Sequence, residues 1–161
     1  MSAEVDWVLD RIGTLDVEVP LQRVNRDESK MLDMTGQPRQ RKGDLQTANF
    51  VGAHLTDRAT EPIGTEYDHA VETVVGVRIE GLTHHEYGHV DPAGDSGIPW
   101  ADLVRTIKQA ILAERTFPQV DSDDGTYKDC FIENEAPQSS DFKDYYRYDF
   151  DVRFSGFESL P

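Results

Sequence analysis

Apolar residues at helical spacing predict two helices. Near the N-terminus, apolar side chains recur between Val5 and Ile12 along one side of a helix, and Gly13 can end it. Ser2 can cap the first turn. The pattern predicts a helix over 3–12.

The second helix has the stronger pattern. It opens at Pro99, a residue favoured in the first turn of a helix, and is expected to end near Arg115, before Pro118. Its apolar stripe consists of Trp100, Leu103, Val104, Ile107, Ala110 and Ile111.

Alternation of apolar and polar residues with period two predicts the strands. The first one contains Pro20, which removes a ladder hydrogen bond and so indicates an edge strand. The predicted strands cover 17–22, 50–55, 71–79, 127–133 and 146–154, and the third is expected at the centre of the sheet.

The last strand has the clearest facing. Charged residues such as Arg147 and Asp149 alternate with five aromatic or branched side chains, which should pack under the second helix. The predicted core of strand and helix is Leu103, Ile107, Ile111, Tyr146, Tyr148, Phe150, Val152 and Phe154.

The order of these elements predicts the fold class and the domain organisation. We expect one α+β domain over 1–161, with a mostly antiparallel sheet and two helices packed on one face. Residues 25–49 are polar and are expected to form a long loop or an extended arm, and 82–98 a second long loop. Long loops without secondary structure usually carry function or partner contacts, so the basic group Arg39, Arg41 and Lys42 predicts an assembly arm. An ordinary surface loop is the alternative.

The charge of the chain is strongly negative. It contains 31 Asp and Glu against 16 Lys and Arg, a net charge of −15, and within each sign Asp and Arg predominate. This composition is typical of proteins that stay soluble in concentrated salt, where screening is strong, although an acidic protein of ordinary salinity is the alternative. So acidic a surface argues against gripping duplex DNA.

Other compositional features restrict the class further. No apolar stretch is long enough to span a membrane, and the first ten residues lack the basic region of a signal peptide, so a soluble protein is expected. The single cysteine, Cys130, favours a small core residue over a disulfide or a thiolate site.

One motif could carry chemistry. The segment His85-Glu86-Tyr87-Gly88-His89 matches H-E-x-x-H, in which a helix places two imidazoles on a zinc ion beside a general base, and Asp95 stands where a third ligand could follow. Gly88 and the nearby Pro92 disfavour that helix. We therefore expect a polar loop without metal, cofactor or catalysis, and keep His85, His89 and Asp95 as zinc candidates. Acidic pairs such as Asp149 and Asp151 are expected by chance in this composition.

Three segments resemble tail-completion proteins, and more narrowly the tail terminator proteins of long-tailed viruses. They are VVGVRIEGLTHHEYGHVDP (74–92), GIPWADLVRTIKQAILAERTFP (97–118) and DYYRYDFDVRF (144–154). With the acidic composition, the resemblance points to a virus or provirus of a haloarchaeon.

The resemblance implies a small α+β subunit with a helix on an antiparallel sheet and a final strand. It also implies a virion protein that forms a ring, usually of six subunits, which caps the tail tube and joins it to neighbouring neck proteins while DNA passes through the bore. An acidic bore lets DNA slide, although plain solvation of the surface explains the same charge. The alternatives are a small zinc hydrolase, another tier such as a stopper, adaptor or tail-tube subunit, or a halophilic host binding domain.

Overall fold

A computed structural model describes most of the predicted elements. The described residues are 3–13, 21–25, 49–62, 68–83, 90, 98–120, 126–139 and 145–159. The elements are α1 (Ala3–Gly13), β1 (Leu21–Asn25), β2 (Asn49–Pro62), β3 (Asp68–Leu82), α2 (Trp100–Leu112), β4 (Thr126–Ser139) and β5 (Tyr145–Ser159). Most of the predicted arm 25–49 and of the loop 82–98 lies outside the described residues.

The strands form one five-stranded sheet in the order β1-β2-β3-β5-β4. The edge strand β1 pairs with β2 in parallel, and the other neighbours are antiparallel. β3 occupies the centre, as its apolar alternation predicts. The α+β class with a mostly antiparallel sheet is therefore confirmed.

Both helices pack on the same face of this sheet, which we call the helix face. Trp7 of α1 meets Phe154 of β5 edge to face, with ring centroids 5.4 Å apart, and Trp100 of α2 stacks on Tyr146 of β5 at the same distance. Phe154 and Tyr146 are an even number of residues apart on one strand, so they point the same way. The core lies between this face and the two helices.

The facing of β5 follows the alternation of its sequence. Phe150, Val152 and Phe154 are buried on the helix face, while Tyr146 and Tyr148 are partly buried and pack against the same core. The α2 residues that cover this face, Leu103, Ile107 and Ile111, are fully buried.

A buried polar network joins α1 to the sheet. The Tyr127 hydroxyl of β4 donates a hydrogen bond of 2.7 Å to the carboxylate of Glu4 in α1, and its oxygen lies 2.7 Å from the Thr73 hydroxyl of β3. All three residues are buried. Gly156 of β5 permits this arrangement, because a Cβ there would collide with the backbone of Thr126 and Tyr127.

Four predicted strands were too short, and the first was misplaced. The structure extends 71–79 to Asp68–Leu82 and 146–154 to Tyr145–Ser159, and it describes a strand at Leu21–Asn25 where 17–22 was predicted, while 17–20 lies outside the described residues. It also extends 50–55 to Asn49–Pro62 and 127–133 to Thr126–Ser139, and each of these two strands contains a bulge. A bulge inserts a residue and reverses the facing after it, which breaks the period-two pattern. The second helix also ends at Leu112, three residues before the predicted Arg115.

The outer edge of β4 is obstructed in two places. The backbone N–H of Phe117 donates to the Lys128 carbonyl (2.8 Å), and the N–H of Cys130 donates to the Arg115 carbonyl (2.9 Å). Further along, the ladder is irregular between Glu133 and Ala136, and Asn134 has a left-handed backbone, with φ 54°. These features leave little regular edge for another strand.

Candidate functional site

The second face of the sheet, which we call the open face, carries charged side chains linked across strands. The Arg153 guanidinium of β5 bonds Glu72 of β3 (2.9 Å) and Glu133 of β4 (2.6 Å). The hydrogen bond to Glu133, with a smaller contribution from Glu72, raises the pKa of the Arg153 guanidinium above its already high ordinary value. One guanidinium thus ties three neighbouring strands together.

A second ion pair lies near the middle of this face. Arg78 of β3 donates to both carboxylate oxygens of Asp149 in β5, at 2.9 and 3.4 Å. Arg147 Nε lies 3.6 Å from Asp149 Oδ2, an ion pair too long for a hydrogen bond. Two residues further along β5, the Asp151 carboxylate accepts a hydrogen bond of 2.9 Å from the side-chain amide of Asn134 in β4.

These residues border a cleft of about 200 Å³, which we call the Gly76 cleft. It is lined by His54, Thr56, Gly76, Val77, Arg78, Asp149, Phe150 and Asp151. His54 and Thr56 of β2 lie over Gly76, where a Cβ would come within 2.6 Å of His54 Cε1. The glycine therefore leaves room for the two side chains and forms the floor of the cleft.

The cleft is suited to binding by charge and shape. Asp149 is occupied by Arg78, and Asp151 by Asn134. The guanidinium and the imidazole of His54 offer flat polar surfaces on which an aromatic or planar group can stack.

Three phenylalanine rings are exposed outside the core. Phe131 and Phe157 lie on the open face, and Phe117 lies in the turn that follows α2. Phe117 is the most exposed at 60%, and its backbone is left-handed, with φ 50°. Aromatic side chains are common anchors of protein interfaces, so these rings are candidates for contact with a partner.

Two buried ionisable groups stay protonated near neutrality. Burial raises the pKa of the Cys130 thiol to about 11, which leaves the thiol a poor nucleophile. Burial raises the pKa of the Tyr127 hydroxyl as well, and so does the Glu4 carboxylate, which accepts a hydrogen bond from this hydroxyl. Both groups belong to the core and contribute to packing.

Several predicted site residues cannot be located. The assembly-arm residues Arg39, Arg41 and Lys42 lie outside the described residues, as do the zinc candidates His85, His89 and Asp95. Within the described ranges, no group of three His, Cys, Asp or Glu side chains could hold a metal ion. The helices described here are also too short and polar to cross a membrane.

Sequence reasoning missed the Gly76 cleft. The signal was a glycine inside an otherwise apolar strand, which often marks a close approach of another group. The composition alone predicts acidic pairs such as Asp149 and Asp151 by chance, and the structure places both beside this glycine.

The comparisons with known proteins add no family. The sequence matches no protein-family model and no curated protein.

Proposed function

We propose that this chain is a structural virion protein that forms a ring at the head–tail junction of a tailed haloarchaeal virus, where it caps the tail tube and joins it to the neck. The arrangement of the elements carries the proposal. Two helices lie on one face of a mostly antiparallel sheet, and the last described strand, β5, is inserted between β3 and β4. A helix packed on an antiparallel sheet, followed by a final strand, is what the resemblance to tail terminator proteins implies.

The open face supports a protein that acts by contact and not by catalysis. Its carboxylates are engaged with Arg78, Asn134 and Arg153 across neighbouring strands. Such pairs stiffen a surface and give it directional polar groups, which suits recognition of another protein. A general acid or base needs a proton that it can exchange with a substrate.

The charge supports passage of DNA without attachment. A net charge of −15 repels phosphate, whereas DNA binding needs clustered basic side chains. In a ring, this charge allows the genome to slide through the bore. Retention on a DNA column at moderate salt contradicts this part of the proposal.

The oligomeric mass tests the ring. Light scattering in molar salt should give a discrete multiple of the subunit mass of 18.2 kDa, with six as the expected number. Negative-stain images of the same fraction should show rings with a central hole. A strict monomer at high concentration, both alone and mixed with purified tail tubes, contradicts the proposal.

The virion proteins that this chain binds decide its position in the tail or neck. A tail terminator should cosediment with tail tubes and occupy one end of each tube in micrographs. Decoration along the tube, or binding to the isolated portal alone, would assign the chain to another tier of the tail or neck.

The zinc hydrolase alternative is tested by metal content. Elemental analysis of protein purified without chelator should show no stoichiometric zinc. Near-stoichiometric zinc that is lost in the His85→Ala/His89→Ala variant would favour the enzyme.

A further inference from the structure

Phe117 is presented on the surface by a fixed turn. Its side chain is 60% exposed, and its backbone N–H is bonded to the Lys128 carbonyl (2.8 Å). The Phe117 carbonyl accepts a hydrogen bond from the Gln119 side chain (2.9 Å). A left-handed backbone is unfavourable for a residue with a side chain, and such conformations cluster at functional sites. The fold thus holds an apolar ring in water, in a costly conformation.

The surroundings of Phe117 are basic, which is unusual in this chain. Arg115 and Lys128, on either side of the turn, are both exposed. Neither forms an ion pair among the described residues. Most other described Arg and Lys side chains do, as in the pair Arg11 and Glu114. The Lys128 ammonium lies 5.7 Å from the centroid of the Phe157 ring, and its backbone carbonyl holds the turn of Phe117. In a chain with 31 acidic residues, two basic side chains without an ion pair among the described residues make the region around this turn locally positive.

The Gly76 cleft has the complementary properties. The cleft has a volume of about 200 Å³ and a glycine floor. At its border, Asp149 is paired with Arg78, whereas Asp151 accepts a hydrogen bond from the neutral amide of Asn134 and has no cationic partner among the described residues, so Asp151 supplies the negative charge. His54 and Arg78 line the same space and can stack on an aromatic ring.

We propose that Phe117 of one subunit inserts into the Gly76 cleft of the next copy of this chain, while Arg115 and Lys128 lie near Asp151 at the border of that cleft. This contact rests on the proposed ring and assigns its subunit interface. The argument comes from the complementary charge of the two surfaces and from their separate places on one subunit.

The geometry makes the contact head to tail. Phe117 lies beyond the outer edge of β4, whereas the cleft is on the open face over β2, β3 and β5. Two different patches that fit one another can give a heterologous interface, which closes into a ring when the rotation per subunit permits. A two-fold dimer that pairs the same patches reciprocally would stop at two subunits, and the trapping experiment below distinguishes it from a ring.

Disulfide trapping tests the contact directly, with the double variant Phe117→Cys/Thr56→Cys. Within one subunit these positions cannot be bridged. β3 and β5 separate β2 from β4, so three spacings of about 4.8 Å exceed the roughly 7 Å limit between Cα atoms of a disulfide. Cys130 is buried and should not compete. Oxidation should give a ladder of covalent multimers that ends at the ring, whereas each single variant should give at most dimers.

Three substitutions measure the contribution of the ring of Phe117. Phe117→Ala and Phe117→Gly should both raise the concentration at which half of the subunits assemble by roughly tenfold or more, as expected for a buried aromatic anchor. Glycine fits the left-handed backbone, so Phe117→Gly should fold at least as stably as Phe117→Ala, and circular dichroism can verify the fold. Phe131→Ala is the matched control, because that ring is 42% exposed on the open face and neither lines the Gly76 cleft nor takes part in the proposed contact, so its assembly should not change.

The outcomes separate the two proposals. If the wild type forms rings, the Phe117→Ala variant assembles equally well and the double-cysteine variant gives no covalent ladder, the proposed contact is wrong although the ring stands. A wild-type chain that stays monomeric, alone and with tail tubes, overturns the ring and the contact with it.

Discussion

Removing one oxygen from the core should reveal how strongly the buried network holds α1 on the sheet. Tyr127→Phe keeps the ring, which packs 5.2 Å from Phe154, and deletes the hydroxyl that bonds Glu4 and Thr73. Hydrogen bonds to charged groups contribute about 1.5–3 kcal/mol, and neutral ones about 0.5–1.5. The Glu4 carboxylate is buried, so water cannot easily replace the lost donor.

We therefore expect Tyr127→Phe to lower the free energy of unfolding by about 2–4 kcal/mol. That is a large part of the roughly 5–15 kcal/mol typical of a domain, and it corresponds to a fall in melting temperature of roughly 4–16 °C. Urea unfolding in molar salt measures it.

Tyr148→Phe is the matched control for this measurement. The Tyr148 hydroxyl also donates to a carboxylate, that of Glu135 at 3.0 Å, but this contact is exposed. Its loss should cost less than about 1 kcal/mol. Equal costs for the two variants would refute the idea that burial makes the Tyr127 network important.

Three further perturbations test the core, the thiol and the charge. Phe150→Ala should lower the free energy of unfolding by about 3–5 kcal/mol. Asp149→Ala should cost less, about 1–2 kcal/mol, because its pair with Arg78 on the open face is only partly buried. The reverse order in urea unfolding would contradict the facing of β5. Burial raises the pKa of the Cys130 thiol from 9.0 to about 11, so the folded chain binds the thiol proton more tightly than the unfolded chain. The free energy of unfolding should therefore keep this contribution below about pH 9 and lose about 3 kcal/mol as the pH rises through 11. Cys130→Ala should lack this part of the alkaline loss, and an unchanged pH profile would count against it. Melting temperature should rise with salt concentration, because added ions screen the repulsion of a net charge of −15, and equal or higher values at low salt would contradict the halophilic interpretation.

The fold class was readable from sequence because burial enforces periodicity. On β5, every second side chain from Tyr146 to Phe154 packs on the helix face, and the pattern is unbroken since the strand has no bulge there. The same holds for Val71 to Ile79 of β3. Where a strand keeps one register over many residues, local pattern and tertiary packing carry the same information.

The site could not be read in this way. Arg78 and Asp149 are 71 positions apart in sequence, and only the pairing of β3 with β5 brings them together. Phe117 follows the predicted end of the second helix near Arg115, and nothing in the local pattern indicates that its backbone bonds β4 while its ring is exposed. Such contacts depend on strand order, which alternation within one strand does not encode.

Because the outer edge of β4 is obstructed, the two edges of the sheet differ in their ability to pair with a strand of another molecule. Fibrous aggregation by strand pairing needs two regular edges on each molecule, one to receive a strand and one to offer the next. Here the turn at 115–117 lies along one part of β4, and the irregularity around Asn134 interrupts another. Among the described strands, that leaves only β1 with a regular outer edge. Strand pairing between copies through these edges therefore stops at two molecules, so the folded subunit can reach high concentration without growing fibres by edge-to-edge pairing.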